Sequence, residues 1–311
     1  MTTLDASVPP VLLSGDRVRL VSPASPPIRE YVDRGVELLT AWGLEVELGK
    51  HVFDRFGYLA GRDKDRLTDL DEAFRDRGVR AIFATRGGKG AYRIASALDF
   101  GAARSDPKPL VGFSDITHLH LAYWRRSRLV GVHGHWYDQC AGPEPADALR
   151  AALMMTEPIT IQRDPDEPTA ALSTRGTASG FLMGGNLDAL RTAVGAQLPS
   201  LDGAVLLIEA VMGTGLGQID REFSQLLNSG SLAGVRGVAV GQFTGFDGVE
   251  AGGWTVLDVL RDRLDRLGVP VLGGLPLGHG RRPRTVPLGT PAILDAEAGT
   301  LQAEPAVCRR P

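Results

Sequence analysis

Short apolar runs alternate with stretches of helical spacing along this chain, and that alternation limits the folds open to it. Val18–Val21, Leu44–Leu48, Ala81–Ala84, Pro109–Phe113 and Leu129–Val132 read as strands. Between them Glu30–Trp42, Asp65–Phe74, Tyr92–Leu98 and Ile116–Arg126 read as helices; Val32, Val36, Leu39 and Trp42 share one helical face. Strands separated by helices pair in parallel through crossovers, so the first half is expected to be a doubly wound, mostly parallel α/β sheet of flavodoxin-like or amidotransferase-like type. Such sheets place their chemistry at the carboxyl ends of strands. The 39 glycines among 311 residues cluster between the apolar runs, as tight strand-to-helix turns require.

Proline and acid gather between residues 140 and 175, and the alternation then resumes. We therefore expect an N-terminal α/β domain over 1–145, a linker with a short helix (Asp147–Met155) over 146–170, and a second α/β domain over 171–311. In the second half Ser179–Met183, Ala204–Ala210, Gly237–Phe243 and Val269–Gly273 read as strands. Leu187–Val194, Ile219–Leu227 and Val256–Leu267 read as helices, and Val286–Leu301 as β-hairpin. The net charge of −3 offers no broad basic face, so nucleic acid is not an expected partner. No run approaches the ~18 apolar residues of a membrane span. The first residues carry no basic, then apolar, leader pattern, and Cys140 and Cys308 form no redox or metal spacing. A cytoplasmic protein is expected.

Four features could carry chemistry. Ser114, in VGFSDITHL, falls where a strand ends and a helix begins. That is the setting of a nucleophile elbow, although Ile116 replaces the second glycine of G-x-S-x-G; it is equally the setting of a helix N-cap. The loop Thr85-Arg86-Gly87-Gly88-Lys89-Gly90 follows a strand and can turn bare N–H groups toward an anion, or simply form a tight turn. Glu209 ends the apolar run LLIEA, where a carboxylate must be paired: it either orients an imidazole or joins a structural ion pair. His279 sits in the glycine-rich loop LGHGRRP. Weaker signals are the pairs His118/His120 and His133/His135, of which only the second, on a strand, has chelating geometry. The cluster Arg281, Arg282 and Arg284, and the aromatics Trp124, Trp136 and Tyr137, are the others.

Together RGGKGAYR (Arg86–Arg93), VGFSD (Val111–Asp115), FLMGGNLDAL (Phe181–Leu190), LLIEA (Leu206–Ala210), QIDREFSQL (Gln218–Leu226) and LPLGHG…VPLG (Leu275–Gly289) resemble the LD-carboxypeptidase family, which includes microcin C immunity peptidases. The resemblance implies a metal- and cofactor-independent serine peptidase. Ser114 would be nucleophile, Glu209 the acid and His279 the base, with Gly88 and Asp115 N–H groups as oxyanion hole. It also implies a cleft between two domains, a homodimer, and an amide substrate. That substrate would be the L,D bond of a murein tetrapeptide or, alternatively, a peptidyl-nucleotide. Arg86, Asn186, Trp136 and Arg281 are the candidate substrate contacts. The sequence departs from the family pattern at Lys89, where tyrosine is usual, and after Glu209 and His133. An anion-binding protein without catalysis, and a metal hydrolase built on His133 and His135, are the rival classes.

Overall fold

The computed structural model describes residues 6–135, 144–211, 213, 215–248 and 250–310. Its first sheet contains β1 (Arg17–Val21), β2 (Glu45–Leu48), β3 (Val79–Ala84), β4 (Leu110–Gly112) and β5 (Gly131–His133). They are parallel in the order β2-β1-β3-β4-β5, the flavodoxin-like order. The crossovers carry α1 (Arg29–Ala41), α2 (Asp63–Arg75), a single turn α3 (Ala91–Ile94), α4 (Phe100–Ser105) and α5 (Thr117–Ser127). Tyr92–Leu98, expected as one helix, is cut to the turn α3. The short α4, which the periodicity does not reveal, is started by Asp99, whose side chain accepts from the Ala102 N–H.

Residues 146–170, expected as a linker with a short helix, do carry that helix, and they add a strand. α6 (Glu144–Met154) buries Leu149 and Leu153 against Val130 and Val132 of the first sheet. The short alternating run ITIQ forms β6 (Ile159–Gln162), an edge strand of the second sheet. That sheet also holds β7 (Thr177–Asn186), β8 (Ala204–Val211), β9 (Gly237–Thr244) and β10 (Val271–Leu272), all parallel. Its helices are α7 (Leu187–Thr192), α8 (Leu216–Asn228) and α9 (Val256–Leu264). α9 opens on a capping box between Thr255 and Asp258.

The tail is only partly the expected hairpin. β12 (Pro291–Asp295) and β13 (Thr300–Ala303) pair antiparallel and join the second sheet between β7 and β6. The preceding β11 (Val286–Leu288) instead crosses back and pairs antiparallel with β5, becoming the sixth strand of the first sheet. The largest core cluster spans this exchange: it contains Leu121 and Trp124 of α5, Val286 and Leu288 of β11, and the buried faces of β7, β8 and β9. Trp124 has no exposed surface and stacks on Phe181 of β7, with ring centroids 5.6 Å apart. No described helix is long and apolar enough to cross a membrane.

Trp124 thus wedges α5, which leads away from Ser114, against the second sheet. Truncation to alanine removes a large buried ring, so Trp124→Ala is expected to cost about 3–5 kcal/mol, read from the urea unfolding midpoint.

Candidate active site

The backbone at Ser114 is unusual before any side chain is considered. β4 ends at Gly112, Phe113 is extended, and Ser114 then adopts φ 61°, in the left-handed region. A non-glycine residue held there costs energy and marks a turn fixed by its surroundings. Residues Ser114–Ile116 form a 3-10 turn that runs into α5. Ser114 makes no capping hydrogen bond. Asp115 does cap, but a different helix: its Oδ2 accepts from Ala91 N–H at 2.7 Å, tying the turn to the start of α3 and so to the glycine loop. Burial pushes the Asp115 carboxyl up to about 6, against the opposing pull of that N–H.

The glycine loop follows β3 and lies directly on this turn. A Cβ at Gly87 would stand 2.8 Å from Ser114 Cβ, so only glycine allows the approach. Ser25 clamps the loop: its N–H donates to Gly87 O at 3.1 Å and its hydroxyl accepts from Lys89 N–H at 3.0 Å. The N–H groups of Gly88 and Asp115 donate no hydrogen bond among the described residues. Both belong to residues that line the cavity described below.

The second sheet contributes the acid and the imidazole. Glu209, near the carboxyl end of β8, is fully buried. His279 comes from the loop after β10, and its Nδ1 lies 2.6 Å from Glu209 Oε2. The loop passes over Glu209 at Gly278 (φ +125°), where a Cβ would stand 2.8 Å from Glu209 Cβ. Burial alone would raise the glutamate, but the charge and hydrogen bond of His279, helped by His133 and Asn186, hold it below its ordinary value. Burial likewise pulls His279 down, and the Glu209 carboxylate and hydrogen bond outweigh it, leaving the imidazole above its ordinary value. The His279 ring packs on Phe113, next to Ser114, with centroids 4.8 Å apart. No hydrogen bond joins Ser114 Oγ to His279.

One cavity of about 920 Å³ collects these groups: Ser114, Asp115, Gly88 and Arg86 on the first sheet's side, Asn186 and His279 on the second's. Asn186 ends β7, caps α7 through Ala189 N–H, and is the register partner of Glu209. Arg86 reaches back to Pro26 O. Arg281 does not line the cavity; its side chain is exposed and its carbonyl accepts from Gln242. Trp136 lies outside the described residues. His135 lines the cavity, its Nε2 2.9 Å from Gly278 O and its ring on Phe113. The described residues close enough together to hold a cation, His51, Asp54 and Asp65, do not line it.

Asp188 and Glu222, which the sequence did not single out, also line the cavity. Lys89 Nζ pairs with Asp188 across the cleft at 3.1 Å, and Glu222 of α8, bonded to Gln218, is buried against the cavity and pushed up to about 7. Helical spacing places Gln218 and Glu222 on one face of α8, but only the tertiary fold aims that face at the cleft.

Residues 18–134 match the model of the LD-carboxypeptidase N-terminal domain, and residues 179–294 that of the C-terminal domain. The chain belongs to the LD-carboxypeptidase family. It is a serine peptidase of that carboxypeptidase class. A Streptomyces coelicolor relative is 39% identical over 310 residues, covering 96% of this chain and 97% of its own. The murein tetrapeptide carboxypeptidase of Pseudomonas aeruginosa is 30% identical over 288 residues, covering 90% and 93%. Among solved structures, the microcin C7 self-immunity protein MccF in complex with aspartyl sulfamoyl adenosine superimposes with a TM-score of 0.85 at 22% identity, over 97% of this chain and all of that one.

For a family member built this way, the ionisation of His279 reports on Glu209. An NMR titration of the His279 ring should give a pKa above the 6.5 of a free imidazole. In Glu209→Gln the carboxylate is gone and burial remains, so the value should fall below 6.5. A His279 pKa unchanged by that substitution would contradict the pairing.

Proposed function

We propose that this protein hydrolyses an L,D amide bond of a murein tetrapeptide, releasing D-alanine, through a Ser114–His279–Glu209 triad. The observation that carries the reading is the 2.6 Å Glu209–His279 pair opening onto the same cavity as a serine held at φ 61°. Glu209 occupies Nδ1 and so fixes the tautomer that leaves Nε2 as the proton acceptor. With substrate in place Ser114 Oγ comes within reach of His279, a contact that tightens in the complex. Oγ attacks the amide carbonyl and its proton passes to Nε2. The oxygen's developing charge is met by the free N–H groups of Gly88 and Asp115, each worth about 3–4 kcal/mol. His279 then protonates the leaving amine, the C–N bond breaks, and an acyl-enzyme ester forms on Ser114. Water attacks that ester with His279 again as base, returning Oγ its proton.

Arg86, Lys89, Asn186, Asp188 and Glu222 line the cavity and are the polar side chains available to the substrate. Support for murein peptide as substrate comes from the relative named for murein tetrapeptide, which aligns over nearly the whole chain. The likeness to MccF is one of fold, and a peptidyl-nucleotide is the competing substrate. Cytoplasmic action and a homodimer complete the reading, the homodimer on the strength of the family resemblance.

Wild type and Ser114→Ala should each be incubated with murein tetrapeptide and with a peptidyl-sulfamoyl adenylate, and the products weighed by mass spectrometry. Wild type is expected to release D-alanine from the tetrapeptide, and Ser114→Ala to lose at least ~10³-fold in rate. Turnover that survives in Ser114→Ala refutes the nucleophile, and cleavage of the nucleotide alone moves the substrate to the other class.

A further inference from the structure

Behind the Glu209–His279 pair, three buried polar atoms stand without a hydrogen-bond partner. One is Glu209 Oε1; the other two are both ring nitrogens of His133, the last residue of β5. Glu209 and His133 are each at most 1% exposed, so water does not reach these atoms from outside. Buried donors and acceptors are almost always paired, and leaving them unpaired is costly.

Shared neighbours bring His133 up to the Glu209–His279 pair, and His133 and Glu209 influence each other's charge. His133 is the register partner of Gly112, immediately before the Phe113–Ser114 turn. The Phe113 ring meets His133 edge-on at 6.2 Å and His279 at 4.8 Å. On the other side, a Cβ at Gly185 would stand 3.4 Å from His133 Nδ1, and Gly185 adjoins Asn186, the strand partner of Glu209. His133 therefore fills the seam where the carboxyl ends of β5, β7 and β8 converge. The Asn186 side chain also lies beside Glu209 and helps keep its carboxylate ionised, while Oε1 itself has no hydrogen-bond partner.

We propose that His133 is a positioning residue for the triad. During turnover its neutral ring donates to Glu209 Oε1, directly or through one water, and so holds the carboxylate that holds His279. The inference rests on the Ser114–His279–Glu209 reading above. Burial keeps His133 neutral, near 3, so it serves as a dipole and not as a second charge. The titratable groups facing it are Glu209, His120, His135 and His279. His120 is also held low by burial, with Nε2 against Gly112 O, and His135 Nε2 meets Gly278 O. The one acid among them is Glu209, whose charge His279 shares through its hydrogen bond. Without the donor, a dry carboxylate is less stable as an anion, the pair binds a proton more readily, and its apparent pKa rises.

The test compares wild type, His133→Leu and His133→Asn, with His133→Met as a second apolar replacement should the leucine variant fail to fold. Two readouts are taken: the pH profile of kcat/KM on murein tetrapeptide, and the downfield proton resonance of the His279 ring in the free protein, assigned by its loss in His279→Gln. The apolar variants are expected to lose about tenfold in kcat, to move the acid limb up by about half a pH unit or more, and to shift or broaden the resonance. Asparagine, which restores a donor, should return limb and resonance toward wild type. A folded apolar variant with wild-type limb and resonance overturns the proposal, as does an asparagine variant that behaves like leucine. Failure of the triad reading is separate: Ser114→Ala would then stay active, or wild type would not cleave the tetrapeptide, while the resonance still reports on His133.

Discussion

The hydrogen bond between Glu209 Oε2 and His279 Nδ1 puts a carboxylate that has left water altogether at the end of a central strand, and the neighbouring chain is arranged to make that tolerable. A lone buried carboxylate would pick up a proton; an imidazole close enough to share its charge keeps it ionised. Bringing the imidazole there requires a loop that crosses over β8 with no side chain at Gly278. The same demand explains why the region between Phe113, His133 and His135 is crowded with rings: they exclude water from the pair and set the direction of the one imidazole edge left open.

A site divided between two sheets needs the sheets held in fixed relation. Here that is done by exchange and not by a hinge. Trp124 leaves the first half to stack on Phe181, and β11 leaves the second half to pair with β5. The helix that follows Ser114 and the strand that ends in His133 are therefore both gripped from the opposite half. Lys89 and Asp188 close the cleft only at its exposed rim, where an ion pair contributes little to stability and can part to admit a ligand.

Local signals in the sequence were enough for the parallel strands, for most of the helices, and for placing Ser114 on a turn, Glu209 near a strand end and His279 in a loop. Strand ends flanked by glycine are written in consecutive residues, so VGFSD and LLIEA announce themselves. What pattern alone could not decide was whether Ser114 is a cap or an elbow; the left-handed φ and the diversion of Asp115 to cap α3 settle its conformation. Long-range placement was illegible. Nothing in VPL distinguishes a hairpin strand from one that returns to the first sheet, because the choice depends on an edge 150 residues earlier. ITIQ, bounded by prolines and acids, looks like linker until β13 offers it a partner. Glu222 reads as an ordinary polar helix residue until α8 is docked against the cleft. The family resemblance added roles to residues whose types alone left several uses open.

The return of β11 also bears on how the chain comes to be folded. As synthesis proceeds from the amino end, the five parallel strands of the first half are complete long before residue 288 exists, and β5 must wait with one flank uncapped. An exposed strand flank of that kind is adhesive toward other chains. Until then that flank has no strand to cover it, and the segment that supplies the cover, β11, begins only a few residues after His279.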